Sequence, residues 1–186
     1  MLRDAAEGGG GGTDPHVWLD PRHYAQEADR IREALAQIDP EGAGLYTTNF
    51  LDLQEELRGL EQEFADALAV CARRTVVVPH AAFGYLTDRF HLEQLAVAGL
   101  SPEIEPSPAR LRTTIEEVRR LGTTHVFFEA LASPRIAETV AAELEIQLLL
   151  LHPVSGLTPE ENTAGSDYFS LMRQNLANLR TALDCQ

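Results

Sequence analysis

The chain has 186 residues, 44% of them hydrophobic and 24% charged, with a formal net charge of −14. That length holds one ordinary core, or one domain and part of another, and no apolar run approaches the roughly 18–20 residues that a membrane-spanning helix needs. Every basic residue is an arginine, and so acidic a chain lacks the phosphate attraction on which nucleic-acid affinity rests.

Met1-Leu2-Arg3 leads into Asp4 and Glu7 without the apolar segment of a signal peptide. A glycine run follows at 8–12, so residues 1–12 are expected to be a flexible tail outside the fold. Next comes DPHVWLDP, residues 14–21. Each proline fixes its own φ and pushes the preceding aspartate out of the helical region. His16 is therefore expected on a short, stiff, extended segment, beside Trp18, the chain's single tryptophan.

After Pro21, apolar residues recur at Tyr24, Ala28, Ile31, Leu35 and Ile38, which predicts an amphipathic helix ended by Asp39-Pro40. Thr47-Thr48-Asn49 offers capping oxygens for a second helix over 48–71, with Leu53, Leu57, Leu60, Phe64 and Leu68 in one stripe. At 1.5 Å per residue it is roughly 35 Å long, more than one small domain requires.

From Arg73 onward, short apolar runs alternate with helical patterns. Strands are predicted at 75–79, 94–98, 125–128 and 147–151, the last as a buried run of leucines. Helices are predicted at 82–90, at 108–121 ended by Gly122, at 133–144 with Ser133-Pro134 as cap and first position, and at 167–183. The class is α/β: a four-stranded, mainly parallel sheet with right-handed crossovers, flanked by helices.

Ligands of such sheets sit at the carboxyl ends of the strands. There the sequence places His80 after strand one, the proline-rich loop with Glu103 and Glu105 after strand two, Glu129 at the end of strand three, and His152-Pro153 after strand four. Neutral imidazoles favour zinc and related ions. His16, His80 and His152 are thus the candidate ligands, while His23, His91 and His125 read as structural. Glu129 either ligates or accepts a hydrogen bond from a ligand's second ring nitrogen. Cys71 and Cys185 are either two unrelated buried thiols or a disulfide. The disulfide would imply an oxidising compartment, and closing so long a loop is worth roughly 4–5 kcal/mol.

The ordered segments DPHVWLDP, PHAAFGYLTDRFHL, AGLSPEIEPSPARL, FFEALASPRIAETVA and HPVSGL resemble the zinc/manganese solute-binding proteins of ABC importers, in particular the zinc-uptake branch of the cluster A-I receptors. The resemblance runs from Thr13 to the C-terminus. It implies two α/β lobes joined by one long helix, with the metal in the cleft between them. On that basis residues 13–46 correspond to a remnant of an N-terminal lobe, 47–71 to the inter-lobe helix, and 72–186 to the C-terminal metal-binding lobe. The N-terminal lobe with its own ligand histidine has no counterpart, so weaker binding than in an intact receptor is expected.

The resemblance assigns ligand roles to His16 and His80. His152 stands where the family usually has an aspartate, which favours Zn²⁺ over Mn²⁺. It also supports a Cys71–Cys185 disulfide. The implied protein is a monomeric receptor, periplasmic or anchored at the cell surface, which hands metal to an ABC permease without catalysis. A zinc-dependent hydrolase, with water activated on three histidines, and a metal-dependent surface adhesin are the alternatives. Against the hydrolase, neither an HExxH pair nor a GxSxG elbow is present.

Overall fold

The computed structural model describes residues 13–100 and 106–186. The predicted tail and the loop carrying Glu103 and Glu105 lie outside the described residues. A 3₁₀ turn, Val17–Leu19, precedes helices α1 (Pro21–Ile38) and α2 (Ala43–Ala67). Then follow β1 (Thr75–Val78), α3 (Gly84–Arg89), β2 (Glu93–Ala96), α4 (Pro108–Leu121), β3 (His125–Phe128), α5 (Arg135–Leu144), β4 (Gln147–Leu150), α6 (Pro159–Ala164) and α7 (Tyr168–Leu183).

All four expected strands form and both pairings are parallel, but the ladder is broken in the middle. β1 pairs with β2 and β3 with β4, giving two two-stranded ribbons. β1 and β3 lie side by side, so the spatial order is β2-β1-β3-β4. Period-two alternation then divides the core. Val76, Val78, Phe127 and Leu151 face a cluster with Leu60, Phe64 and Leu68 at the end of α2, Leu86 of α3, and Met172, Leu179 and Leu183 of α7. Val77 and Val126 face the opposite cluster, with Val118 of α4 and Ala137 and Val140 of α5. The sheet is therefore covered on both faces, as parallel strands require.

The leucine run is less buried than expected. Leu148 is 36% exposed, Leu149 and Leu150 are half-buried, and only Leu151 is sealed in. β4 pairs with β3 alone, so it forms an edge.

The long helix is real, though shifted toward the N-terminus: 25 residues, or about 37 Å at 1.5 Å per residue. It starts ahead of Thr47 because Asp39 organises the turn before it. The Asp39 carboxylate accepts from the Gly42 N–H and from the Tyr46 hydroxyl. Thr47 and Thr48 instead donate their hydroxyls to the carbonyls of Ala43 and Gly44. At its far end the expected stripe is buried: Leu57, Leu60, Phe64 and Leu68. Part of the α1 stripe is not, since Ile31 is 60% and Ile38 82% exposed.

The short helix α6 escaped the periodicity reading. Its signal is local, a capping box in which the Thr158 hydroxyl accepts from the Glu161 N–H while the Glu161 carboxylate accepts from the Thr158 N–H. Of the two readings of the cysteines, the disulfide is the one that forms: Cys71 is bonded to Cys185. The two also form an isolated antiparallel bridge, which fastens the end of α7 to the segment leaving α2. No helix among the described residues is long and apolar enough to cross a membrane.

Two stability predictions follow from these joints. Cys71→Ser, which opens a closure spanning 114 positions, is expected to lower the unfolding free energy by about 3–5 kcal/mol, read from urea midpoints. Between α2 and α7, Arg173 donates twice to the Glu63 carboxylate at 2.8 Å. That hydrogen bonding holds the Glu63 carboxyl below its ordinary value of 4.5. A depressed carboxylate contributes stability that is present above the unfolded value and lost as pH falls through the folded one. Both side chains are about half exposed (51% and 42%), so the gain stays below about 1 kcal/mol. Glu63→Gln should remove that much of the stability difference between pH 6 and pH 3 in parallel urea titrations.

Candidate metal centre

The DPHVWLDP segment is a knot of hydrogen bonds and not an extended strip. Asp14, 3% exposed, accepts the His16 N–H on Oδ1 at 3.0 Å, and Val17 N–H donates to the Pro15 carbonyl. Those bonds turn the chain into the 3₁₀ turn that His16 caps. Leu19 plugs the turn into the core. Trp18 donates its indole N–H to the Pro153 carbonyl at 2.8 Å, while Tyr168 of α7 donates its hydroxyl to the Trp18 carbonyl at 2.8 Å. Asp20 caps α1 through the Arg22 N–H and also meets His23 Nδ1 at 2.7 Å. The stiffness expected of the two Asp-Pro steps is present, supplied mainly by these bonds.

His80 follows β1 and Pro79 and is 3% exposed. Its loop is fixed by Ala81 N–H on the Gly99 carbonyl, by Ala82 N–H on the His80 carbonyl, and by Phe83 N–H on the Gln94 side chain. Its Nδ1 lies 2.5 Å from Oε1 of Glu129, 4% exposed at the end of β3.

The His16 and His80 rings meet edge-on, centroids 5.4 Å apart at 64°. His16 Nδ1 in turn lies 2.8 Å from Asp14 Oδ1. An ionised carboxylate only accepts hydrogen bonds, so in the neutral rings both Nδ1 atoms carry the proton and both Nε2 atoms keep the lone pair a cation uses. Each imidazole of the pair is thus backed by a buried carboxylate. Glu129 was legible as such a partner. Asp14 was read only as a backbone stiffener, although a carboxylate two positions before a histidine was the available signal.

His152 is built the other way round. It is fully buried, and its main chain is clamped by Asn175, whose side chain accepts from the His152 N–H and donates to its carbonyl, both at 2.7 Å. Its Nδ1 accepts the Val154 N–H at 2.8 Å, so in the neutral ring the proton sits on Nε2. That nitrogen lies 3.4 Å from Glu161 Oε2 and makes no hydrogen bond. Val154, a β-branched residue, holds this turn at φ +54°, a conformation such residues rarely adopt. Glu161 is held below the ordinary carboxylate range, first by the Thr158 N–H and, after the opposing cost of burial, by His152. No group of three or more His, Cys, Asp or Glu side chains among the described residues is assembled to hold a metal ion. The structure brings together His16, His80, Asp14 and Glu129. His152 is linked to this cluster through its neighbour Pro153, whose carbonyl accepts the Trp18 indole N–H.

The other histidines have ordinary employment. His23 stacks edge-on against Tyr85 besides meeting Asp20. His91 takes a left-handed turn and offers its carbonyl to Arg74, and His125 pairs with the Thr124 hydroxyl.

This chain is 36% identical over 182 residues to the zinc-binding protein AdcA of Streptococcus pyogenes, an alignment covering 98% of this chain and 35% of that protein. The chain thus spans about a third of the length of the curated relatives it matches first. Among solved structures it is similar to the Zn(II)-bound ZnuA-like domain of Streptococcus pneumoniae AdcA, with a TM-score of 0.79 at 35% identity over 92% of this chain and 64% of that one. It is likewise similar to the laminin-binding protein Lbp of Streptococcus pyogenes, with a TM-score of 0.81 at 32% identity over 92% and 66%. The family described as the periplasmic component A of the zinc-uptake complex, ZnuA, matches residues 2–182. A match over nearly the whole length, on a fold that the solved zinc-bound relative shares, makes this chain a member of the ZnuA family of zinc-uptake solute-binding proteins.

Proposed function

We propose that this chain is the metal-holding part of a receptor that captures Zn²⁺ outside the cytoplasm and passes it to an ABC permease, by binding and release without turnover. The observation that carries the reading is the neighbouring pair His16 and His80, each with Nδ1 held by a buried carboxylate. That arrangement suits zinc, which favours neutral imidazole donors, better than Mn²⁺, which favours oxygen. The zinc-binding relatives support it, and the Cys71–Cys185 disulfide supports an oxidising compartment.

His16 and His80 supply the first two donors, and His152 is the third, recruited once it exchanges its present partners. In this reading residues 13–46 are the edge of a second lobe and α2 is the helix between lobes. The exposed Ile31 and Ile38 and the greater length of the solved relatives support that division. The receptor acts as a monomer.

Calorimetric titration with Zn²⁺ tests the assignment. His80→Ala should weaken binding at least about 100-fold, and His152→Ala should weaken it less, because its gain is offset by the bonds it must break. Wild-type affinity retained in His80→Ala overturns the site. A second reading, attachment to a host matrix protein, draws on the likeness to the laminin-binding relative. Zinc-dependent capture of laminin by the wild-type chain would favour it.

A further inference from the structure

Asp14 carries more connections than a turn-forming aspartate needs. Its Oδ1 accepts the His16 backbone N–H at 3.0 Å and also meets the ring Nδ1 of the same residue at 2.8 Å. Its backbone carbonyl accepts the Tyr85 hydroxyl at 3.2 Å, and Tyr85 belongs to α3, the helix entered from the His80 loop. At 3% exposure the carboxylate has given up most of its hydration, a cost recovered only through such bonds. The backbone bond alone would shape the turn. The ring bond does something else, since it selects the His16 tautomer and fixes the plane of the imidazole.

We propose that Asp14 is a positioning residue for zinc capture, a proposal that rests on the zinc-receptor reading above. It acts through His16, keeping the proton on Nδ1 and the lone pair on Nε2. Through its carbonyl and Tyr85 it also keeps the His16 segment in register with the His80 loop. Asp14 and Glu129 then play matching parts: each sits behind one ring of the pair and increases that ring's basicity as a donor. Together the two carboxylates place two negative charges behind the imidazoles, matching the charge of a divalent cation without competing for its coordination.

The test uses Asp14→Asn, which preserves an oxygen acceptor for the backbone N–H but removes the charge, and Asp14→Ala, which removes both. Two measurements are made on each: the tautomer of the His16 ring by ¹⁵N NMR on the zinc-free protein, and the Zn²⁺ affinity by chelator competition. The wild type should show a single Nδ1-protonated His16. Asp14→Ala should lose that preference and bind zinc about 10–100-fold more weakly. Asp14→Asn should fall between them while keeping the wild-type thermal midpoint, and it remains informative if the alanine variant fails to fold. Wild-type affinity and tautomer in folded Asp14→Asn would overturn the role of Asp14 and leave the zinc reading intact. A wild-type chain that binds no Zn²⁺ would overturn the zinc reading and this proposal with it.

Discussion

The contact on which the site depends is the buried one between His80 and Glu129. β1 and β3 belong to different ladders, so backbone bonds within the ribbons do not close the seam at their carboxyl ends. A 2.5 Å contact between an imidazole and a carboxylate, both under 5% exposed, does so. Bonds to charged groups are stronger than neutral ones, and leaving one partner alone in the core costs several kcal/mol. The two groups are therefore tied to each other, and the tie fixes the position of the His80 ring. In the proposed site, sheet closure and ligand preparation would be one interaction.

His16, the second donor of the proposed site, reaches the same place by different means. His16 lies outside the sheet, on a turn that precedes α1, so secondary structure alone does not position it. It is held instead by contacts distant in sequence: Trp18 to Pro153, Tyr168 to Trp18, and Tyr85 to Asp14. Each uses a large side chain with one polar atom, apolar enough to bury and able to fix direction. The Cys71–Cys185 bond adds a covalent clamp at the opposite end of α7. With Tyr168 at the start of that helix and Cys185 just past its end, α7 relates the donor turn to the base of the sheet.

What was legible in the sequence follows the range of the forces involved. Parallel strands and their carboxyl-end positions came from local apolar runs, so His80 and Glu129 could be placed at the same edge of the sheet in advance. The start of α2 was misplaced because Thr47-Thr48 are plausible caps, while the operative group, Asp39, lies eight residues before Thr47 across a turn. The burial of Leu148 was overestimated because composition does not say that β4 is an edge. Most instructive is His152. Its position in the chain is equivalent to that of His80, at the end of a parallel strand, yet its ring is engaged by the Val154 N–H while Asn175 on α7 clamps its main chain. A histidine's usefulness as a ligand is decided by which nitrogen its neighbours occupy, and those neighbours are tertiary.

Under the receptor reading proposed above, release matters as much as capture, and the opposite hydrogen bonding of these histidines bears on it. In that reading His16 and His80 offer Nε2, with Nδ1 already engaged by a carboxylate. To become a third donor, His152 must give up the Val154 N–H, either to bind through Nδ1 or to move its proton there and free the Nε2 lone pair. Breaking one buried hydrogen bond costs about 1–3 kcal/mol, which corresponds to about 5–150-fold in affinity. Nε2 already lacks a hydrogen bond, and Val154 is already held at a positive φ, so the turn is not at a deep minimum. The energy that opposes ligation by His152 is the same energy that returns when it lets go. In the proposed site, two prepared donors and one reluctant one would bind less tightly than three prepared donors, and the His152 turn would carry the force that favours release.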